Sequence, residues 1–162
     1  MTARARYLAE MFFDLALAYD PASRRCDLVV GDDEDLAIDE TPVTPMLLSV
    51  GLDRRAAADD ILPAGQGEFL VSAGLSQRRG WAGDALDAAG ELTGSRIWLL
   101  DRAKQTETAR LLFVMWLEEA MAWTVHDLGQ PAEIEADWVR PNVLGWRVRV
   151  GDTTVELTRG FA

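Results

Sequence analysis

The chain has 162 residues, 49% of them hydrophobic, with 16 basic and 27 acidic side chains for a net charge of −11. That length accommodates one ordinary domain with a real core, and that composition excludes wholesale disorder. The charge excludes a surface built to neutralise nucleic-acid phosphates, and one cysteine with one histidine excludes a disulfide framework and a Cys/His zinc site.

No apolar run approaches the roughly 18 residues needed to cross a bilayer. The start is basic, and the apolar stretch Met11–Tyr19 is interrupted by Asp14, so the clean core of a signal peptide is missing. Synthesis in the cytosol is expected, with no membrane partner. The chain reads as a single domain over 1–162, with residues 1–12 a candidate disordered tail.

In chain order, Phe13, Leu15, Leu17 and Tyr19 alternate with Asp14, Ala16 and Ala18, which is strand periodicity. Asp20-Pro21 breaks it, and Cys26–Val30 predicts a second strand and a hairpin. After the acidic turn Gly31–Asp35, the segment Leu36–Ile38 offers a third strand. Thr44-Pro45 then signals a helix start, as Thr41-Pro42 does three residues earlier. The apolar spacing of Met46, Leu47, Val50 and Ala57 carries that helix to about Ala58, with Gly51 a weak point inside it.

Residues 59–94 hold seven of the 13 glycines and little periodicity, a pattern expected of a functional segment or one ordered by a partner. Ser95 is placed to cap a short helix, Arg96–Ala103. The strongest element is a long helix over about 106–127, capped by Thr106, begun by Glu107 and closed by Gly129 and Pro131. Ala109, Leu112, Phe113, Trp116, Ala120 and Trp123 form its inner stripe. Leu111–Leu117 is apolar throughout, which predicts cover on more than one side.

Three strands follow, with Ile134, Ala136 and Trp138 on one face, then Leu144, Trp146, Val148 and Val150, then Val155 and Leu157. Gly151-Asp152 is a two-residue hairpin turn. The outer face sets Glu133, Glu135 and Asp137 against Arg147 and Arg149, opposite charges across an antiparallel pair. The expected fold is α+β: a mostly antiparallel sheet, made of an N-terminal hairpin and a C-terminal three-strand meander, packed by two to three helices.

Catalytic machinery is hard to assemble from these residues. The lone His126 sits in the last turn of the long helix, where a cation is favoured for structural reasons. Cys26 lies on a short strand. Paired carboxylates such as Asp59-Asp60 or Glu118-Glu119 would suit a glycosidase, but with 27 acidic residues such neighbours arise without a catalytic cause. Gly65-Gln66-Gly67 lacks the third glycine of a phosphate loop, Leu70 filling that place. No catalytic residue, cofactor or metal is assigned.

The distinctive features are arginines with aromatic neighbours: Arg54 and Arg55, then Arg78-Arg79-Gly80-Trp81 with Asp84, then Arg96 with Trp98. Arginine and tryptophan concentrate where proteins bind one another, and arginine forks onto carboxylates. These eight residues are candidate partner contacts. The alternative is that the arginines pair internally with Asp59, Asp60 or Asp84 and lock the loops.

Several strings together resemble the Mu-like phage baseplate proteins, which are related to the sheath initiators and wedge subunits of contractile tails. They are Phe13-Asp14-Leu15-Ala16-Leu17, Asp53-Arg54-Arg55-Ala56 with Asp59-Asp60, Arg78-Arg79-Gly80-Trp81-Ala82-Gly83-Asp84, Gly94-Ser95-Arg96-Ile97-Trp98-Leu99-Leu100, Ala120-Met121-Ala122-Trp123, and the closing acidic-then-basic strand pair. The chain departs at Ala82, where a second tryptophan is common in that family, and Glu68–Gln77 is longer than usual. The resemblance implies a late-expressed, non-enzymatic subunit, six copies to a baseplate. It also implies contact with the larger wedge proteins, the sheath protein and the central hub, spike or tube, with one strand added to a neighbour's sheet. The other readings the residues leave open are a tail glycosidase that cleaves peptidoglycan and a small adaptor binding a host protein.

Overall fold

The computed structural model describes residues 14–63, 75–88 and 90–162, though not the side chains of Tyr19, Leu75 and Ser76. The candidate tail 1–12, Phe13, the Gly65-Gln66-Gly67 string and residues 68–74 of the irregular middle lie outside them. The chain forms two compact units, Met1–Thr44 and Pro45–Ala162.

In the first unit the alternation read from the sequence becomes two short strands in line, β1 (Asp14–Leu15) and β2 (Leu17–Asp20). Asp20 accepts from the amides of Ala22 and Ser23 and so closes the turn to β3 (Arg25–Leu28). β2 and β3 pair antiparallel, Leu17 opposite Leu28. The third expected strand lies slightly later, as β4 (Ile38–Asp39), which pairs with β1, while Leu36 just before it bridges Val30. Ala16 joins the two ladders, its amide donating to the Ala37 carbonyl and its own carbonyl accepting from the Val29 amide.

The boundary between the units falls in the first turn of α1 (Val43–Gly51), whose remainder opens the second unit. The helix start follows Thr41-Pro42, the earlier of the two signals. It stops at Gly51, well before Ala58, because Asp53 leaves to form a parallel bridge with Ser95. The segment expected as a helix over 96–103 is a 3-10 helix, Arg96–Leu100, and its residues Ile97–Leu100 are all buried. Two further 3-10 turns, Leu75–Arg78 and Ala82–Leu86, are the regular parts of the described glycine-rich middle.

The long helix is divided. α2 (Glu107–Ala120) is capped by the Thr106 hydroxyl, which accepts from the Ala109 amide at 3.1 Å, and α3 (Trp123–Leu128) follows after a turn. The Thr124 hydroxyl donates to the Met121 carbonyl at 2.9 Å, drawing an acceptor out of the helical ladder where the break occurs. Trp123 Nε1 donates to the Ser49 hydroxyl on α1, which fixes the direction of α3. Gly129, at φ 67°, ends α3 in the left-handed conformation that glycine tolerates.

β5 (Glu133–Arg140), β6 (Val143–Val150) and β7 (Thr153–Gly160) form the expected antiparallel meander in the order β5-β6-β7. Val150 lies opposite Thr153 across the Gly151-Asp152 turn, and Glu133 and Glu135 face Arg149 and Arg147. A register shift between Trp138 and Arg140 leaves Val139 as an extra residue, and it turns over Gly145. A side chain added at Gly145 would come within 2.6 Å of Val139 Cγ1.

The core of this unit lies between α2 and the inner face of the meander. Phe113, Leu117, Leu144 and Val148 are almost completely excluded from solvent, and Phe113 meets Trp146 at 6.0 Å between ring centroids. Arg110 ties α2 to the sheet by donating to the Ala136 carbonyl. Of the expected inner stripe, Leu112 and Trp123 are only half-buried, and Leu117 takes a full core place. The opposite side of the apolar run is uncovered: Leu111 and Met115 on α2 and Val125 on α3 are exposed.

Leu144 has no solvent contact on the meander's central strand. Leu144→Ala is expected to lower stability by roughly 2–5 kcal/mol through lost burial and the cavity left behind. Reversible denaturant unfolding followed by tryptophan fluorescence measures this.

Candidate interface residues and their internal partners

Three stretches separated in sequence converge through backbone pairing. The Arg54 amide donates to the Ser95 carbonyl, the Ser95 amide to the Leu52 carbonyl, and the Ala56 amide to the Arg78 carbonyl, each at 2.9 Å. This close approach depends on Gly94, at φ 90°, where an added Cβ would stand 2.3 Å from the Leu52 carbonyl oxygen. The arginines predicted from sequence are therefore gathered by a backbone braid and not by one helix or strand.

Trp98 is the floor of this region. It is 4% exposed, and its indole N–H donates to the Arg54 carbonyl at 2.8 Å. Arg79 lies over the indole at 4.4 Å from the ring centroid and holds Asp53 at 2.8 Å and Asp101 at 2.9 Å. Arg159 of β7 reaches the other Asp101 oxygen at 2.7 Å, so that carboxylate joins the braid to the meander. Burial alone would lower the Arg79 pKa, but hydrogen bonds and charge from Asp53 and Asp101 outweigh it and hold it above its ordinary value.

Arg96 makes the second cluster. Its Nε and Nη2 fork onto Glu119 of α2 at 3.0 and 2.8 Å, while Nη1 reaches both oxygens of Asp60 at 3.1 Å. The guanidinium stands 5.8 Å from the Trp116 ring centroid. Desolvation pulls its pKa down and the two carboxylates more than restore it, leaving a raised value. Arg54 approaches the remaining Glu119 oxygen at 3.7 Å.

The other candidates are placed differently. Arg78 donates to the carbonyls of Ala57 and Ala58, closing the end of the 53–60 segment. Arg55 packs its stem against Gly80, and its guanidinium has no partner among the described residues. Asp84 accepts from the Thr93 amide at 3.0 Å, and among the described residues no arginine reaches it. Trp81 is 48% exposed and lies against Gly83, where an added Cβ would meet the indole at 2.2 Å.

Internal pairing thus engages Arg79, Arg96 and Arg54. Of the acceptors expected, Asp60 is used. Asp53, Asp101 and Glu119 were not foreseen. Glu119 was readable in principle, because it lies three residues after the core Trp116 and hence on the inner side of α2. The carboxylates weighed for glycosidase chemistry, Asp60 and Glu119, converge on one arginine. Among the described residues no group of three or more His, Cys, Asp or Glu side chains is arranged to hold a metal.

His126 is exposed and bonded to Asp127 at 2.6 Å; that hydrogen bond first, and the carboxylate's charge second, raise its pKa. It borders a cleft of about 470 Å³ with Arg54, Glu119 and Trp123. Among the described residues no helix is long and apolar enough to cross a membrane.

With that geometry in view, the comparisons with known proteins are specific. Residues 42–156, well over half of the chain, match the model of the family described as phage protein GP46. The chain belongs to this phage family. It is similar to the baseplate protein gp46 of Escherichia phage Mu, with 34% identity over 95 residues that make up 59% of this chain and 58% of that protein. The chain thus spans less than two thirds of that relative's length. No solved structure matches. The Mu-like resemblance read from the sequence strings is borne out, with all strings but Phe13–Leu17 inside the matched stretch.

Two outcomes are expected. Arg96→Ala removes the guanidinium that Asp60 and Glu119 share and lowers stability by about 2–3 kcal/mol, while Arg96→Lys recovers only part because an ammonium cannot fork. Thermal unfolding of the three proteins side by side decides this. In NMR titrations the His126 imidazole titrates above its ordinary value and moves back toward it in Asp127→Asn. Because the shift is upward, its pairing with Asp127 is present below that pKa and fades as pH rises through it.

Proposed function

We propose that the protein is a non-enzymatic structural component of a phage tail baseplate. The observation that carries this reading is the family match over 42–156, together with the likeness to a baseplate protein. The geometry agrees with it. The charged groups most suited to chemistry are engaged internally, Arg96 with Asp60 and Glu119, and Arg79 with Asp53 and Asp101. What remains open is apolar surface, including Trp81, Leu111, Met115 and Val125, of the kind that marks protein–protein contact.

In finer terms, the chain is a wedge subunit of a contractile tail. It is made in the host cytoplasm late in infection and assembled in six copies around the hub. Its partners are the larger wedge proteins and the first ring of sheath subunits. The edge strands of the meander, β5 and β7, leave one side of their ladders unpaired within that sheet, which suits strand addition by a neighbour.

Co-expression with the neighbouring tail genes, followed by size-exclusion chromatography with mass measurement, tests the proposal. A stoichiometric complex with a larger wedge protein is expected. A monomer that ignores all of those partners would refute it, and assay of the monomer on peptidoglycan would then be the next step.

A further inference from the structure

The first unit shows an arrangement that neither the family match, which starts at residue 42, nor the arginine network accounts for. Residues directly opposite on antiparallel strands share a face, as do residues two apart on one strand. Leu15 lies opposite Ile38, Leu17 opposite Leu28, and Val30 opposite Leu36. Leu15 and Leu17 are two apart, as are Leu28 and Val30, and Leu36 and Ile38. All six side chains therefore share one face of the small sheet. Each is between 40% and 64% exposed, and none of the described side chains of this unit is fully buried.

The opposite face and the turns are acidic. Asp14, Asp20, Asp27 and Asp39 stand on strands, and Asp32, Asp33, Glu34 and Asp35 fill one turn. Over residues 14–44 nine carboxylates stand against two arginines, Arg24 and Arg25. Such a face needs cover, and the charge around it selects what can cover it. A second copy would bring two excesses of negative charge into one interface, where like-charge contacts oppose association. A surface with an apolar centre and a cationic rim meets both requirements.

We infer that the six-residue apolar face of the first unit is a docking surface for a different tail protein, one presenting an apolar patch ringed by lysines. The inference rests on the baseplate reading. The sequence itself supplies a clean test, since Lys104 is the only lysine in the chain. A zero-length carbodiimide cross-linker joins carboxylates to amines, so links from residues 14–40 identify what lies against them.

Purified tails are treated with the cross-linker and digested, and amide hydrogen exchange of residues 14–39 is compared between tails and free chain. The expected result is links from the Asp32–Asp35 turn to lysines of another tail protein, with slowed exchange of β1–β4 in tails. Replacing Asp32, Asp33 and Asp35 by asparagine and Glu34 by glutamine should abolish the links from this turn and lower recovery of the chain in tails, with thermal unfolding unchanged. Leu17→Ser with Val30→Ser should lower recovery as well. Links to Lys104 would overturn the inference, because the cover would then be this chain or a second copy. Unchanged exchange in tails would overturn it too, and so would protection without any link to lysine. Absence of the chain from tails is a separate result: it removes the baseplate reading and, with it, this occupant.

Discussion

A guanidinium packed beside an indole and half withdrawn from water needs acceptors for its donors, and the second unit is organised around meeting that need at Arg96. Asp60 comes to it from the end of an irregular segment, and Glu119 comes from the last turn of α2. The two carboxylates belong to parts of the chain with no other reason to converge. Because Arg96 also opens the buried 3-10 helix that carries Trp98 into the core, the position of that helix and the course of residues 53–60 are set together. Trp98 then presents its indole to Arg79, which recruits Asp53 and Asp101, and Asp101 recruits Arg159 from the meander. One chain of charge-assisted contacts thus connects loop, helix and sheet without any long regular element doing so.

Much of the regular architecture was legible in the sequence because it is specified locally. The Thr106 cap, the Gly151-Asp152 turn and the glutamate–arginine ladder across β5 and β6 each depend on residues only a few places apart, or on strict alternation. What escaped was specified from a distance. Nothing near Gly51 announces that the helix must stop there; the cause is Ser95, which draws Asp53 into a parallel bridge. Nothing in the composition of 106–127 foretells a break at Met121, which follows from Thr124 bonding backwards and from Trp123 finding Ser49 on another helix. Of the candidate residues, Arg54, Arg79, Arg96 and Trp98 come together in one region of the structure. Their roles depended on acceptors 22 to 36 residues away, as for Arg79 with Asp101 and Arg96 with Asp60.

The separation of charge from apolar surface has a structural logic. Internal pairing satisfies the arginines in place, so the side chains around Trp98 are already positioned in the folded chain. The exposed residues of the second unit, by contrast, have gone unsatisfied on folding. Leu111–Leu117 gave α2 more apolar surface than one sheet can cover, and the remainder, Leu111 and Met115, points away from the core.

That leftover stripe bears on supply as well as on shape. Leu111, Met115 and Val125 facing water favour self-association, and that hazard grows with the concentration of free copies. In the proposed baseplate role, the ratio at which the chain and its neighbours are translated matters as much to a correct particle as any single contact in the interface.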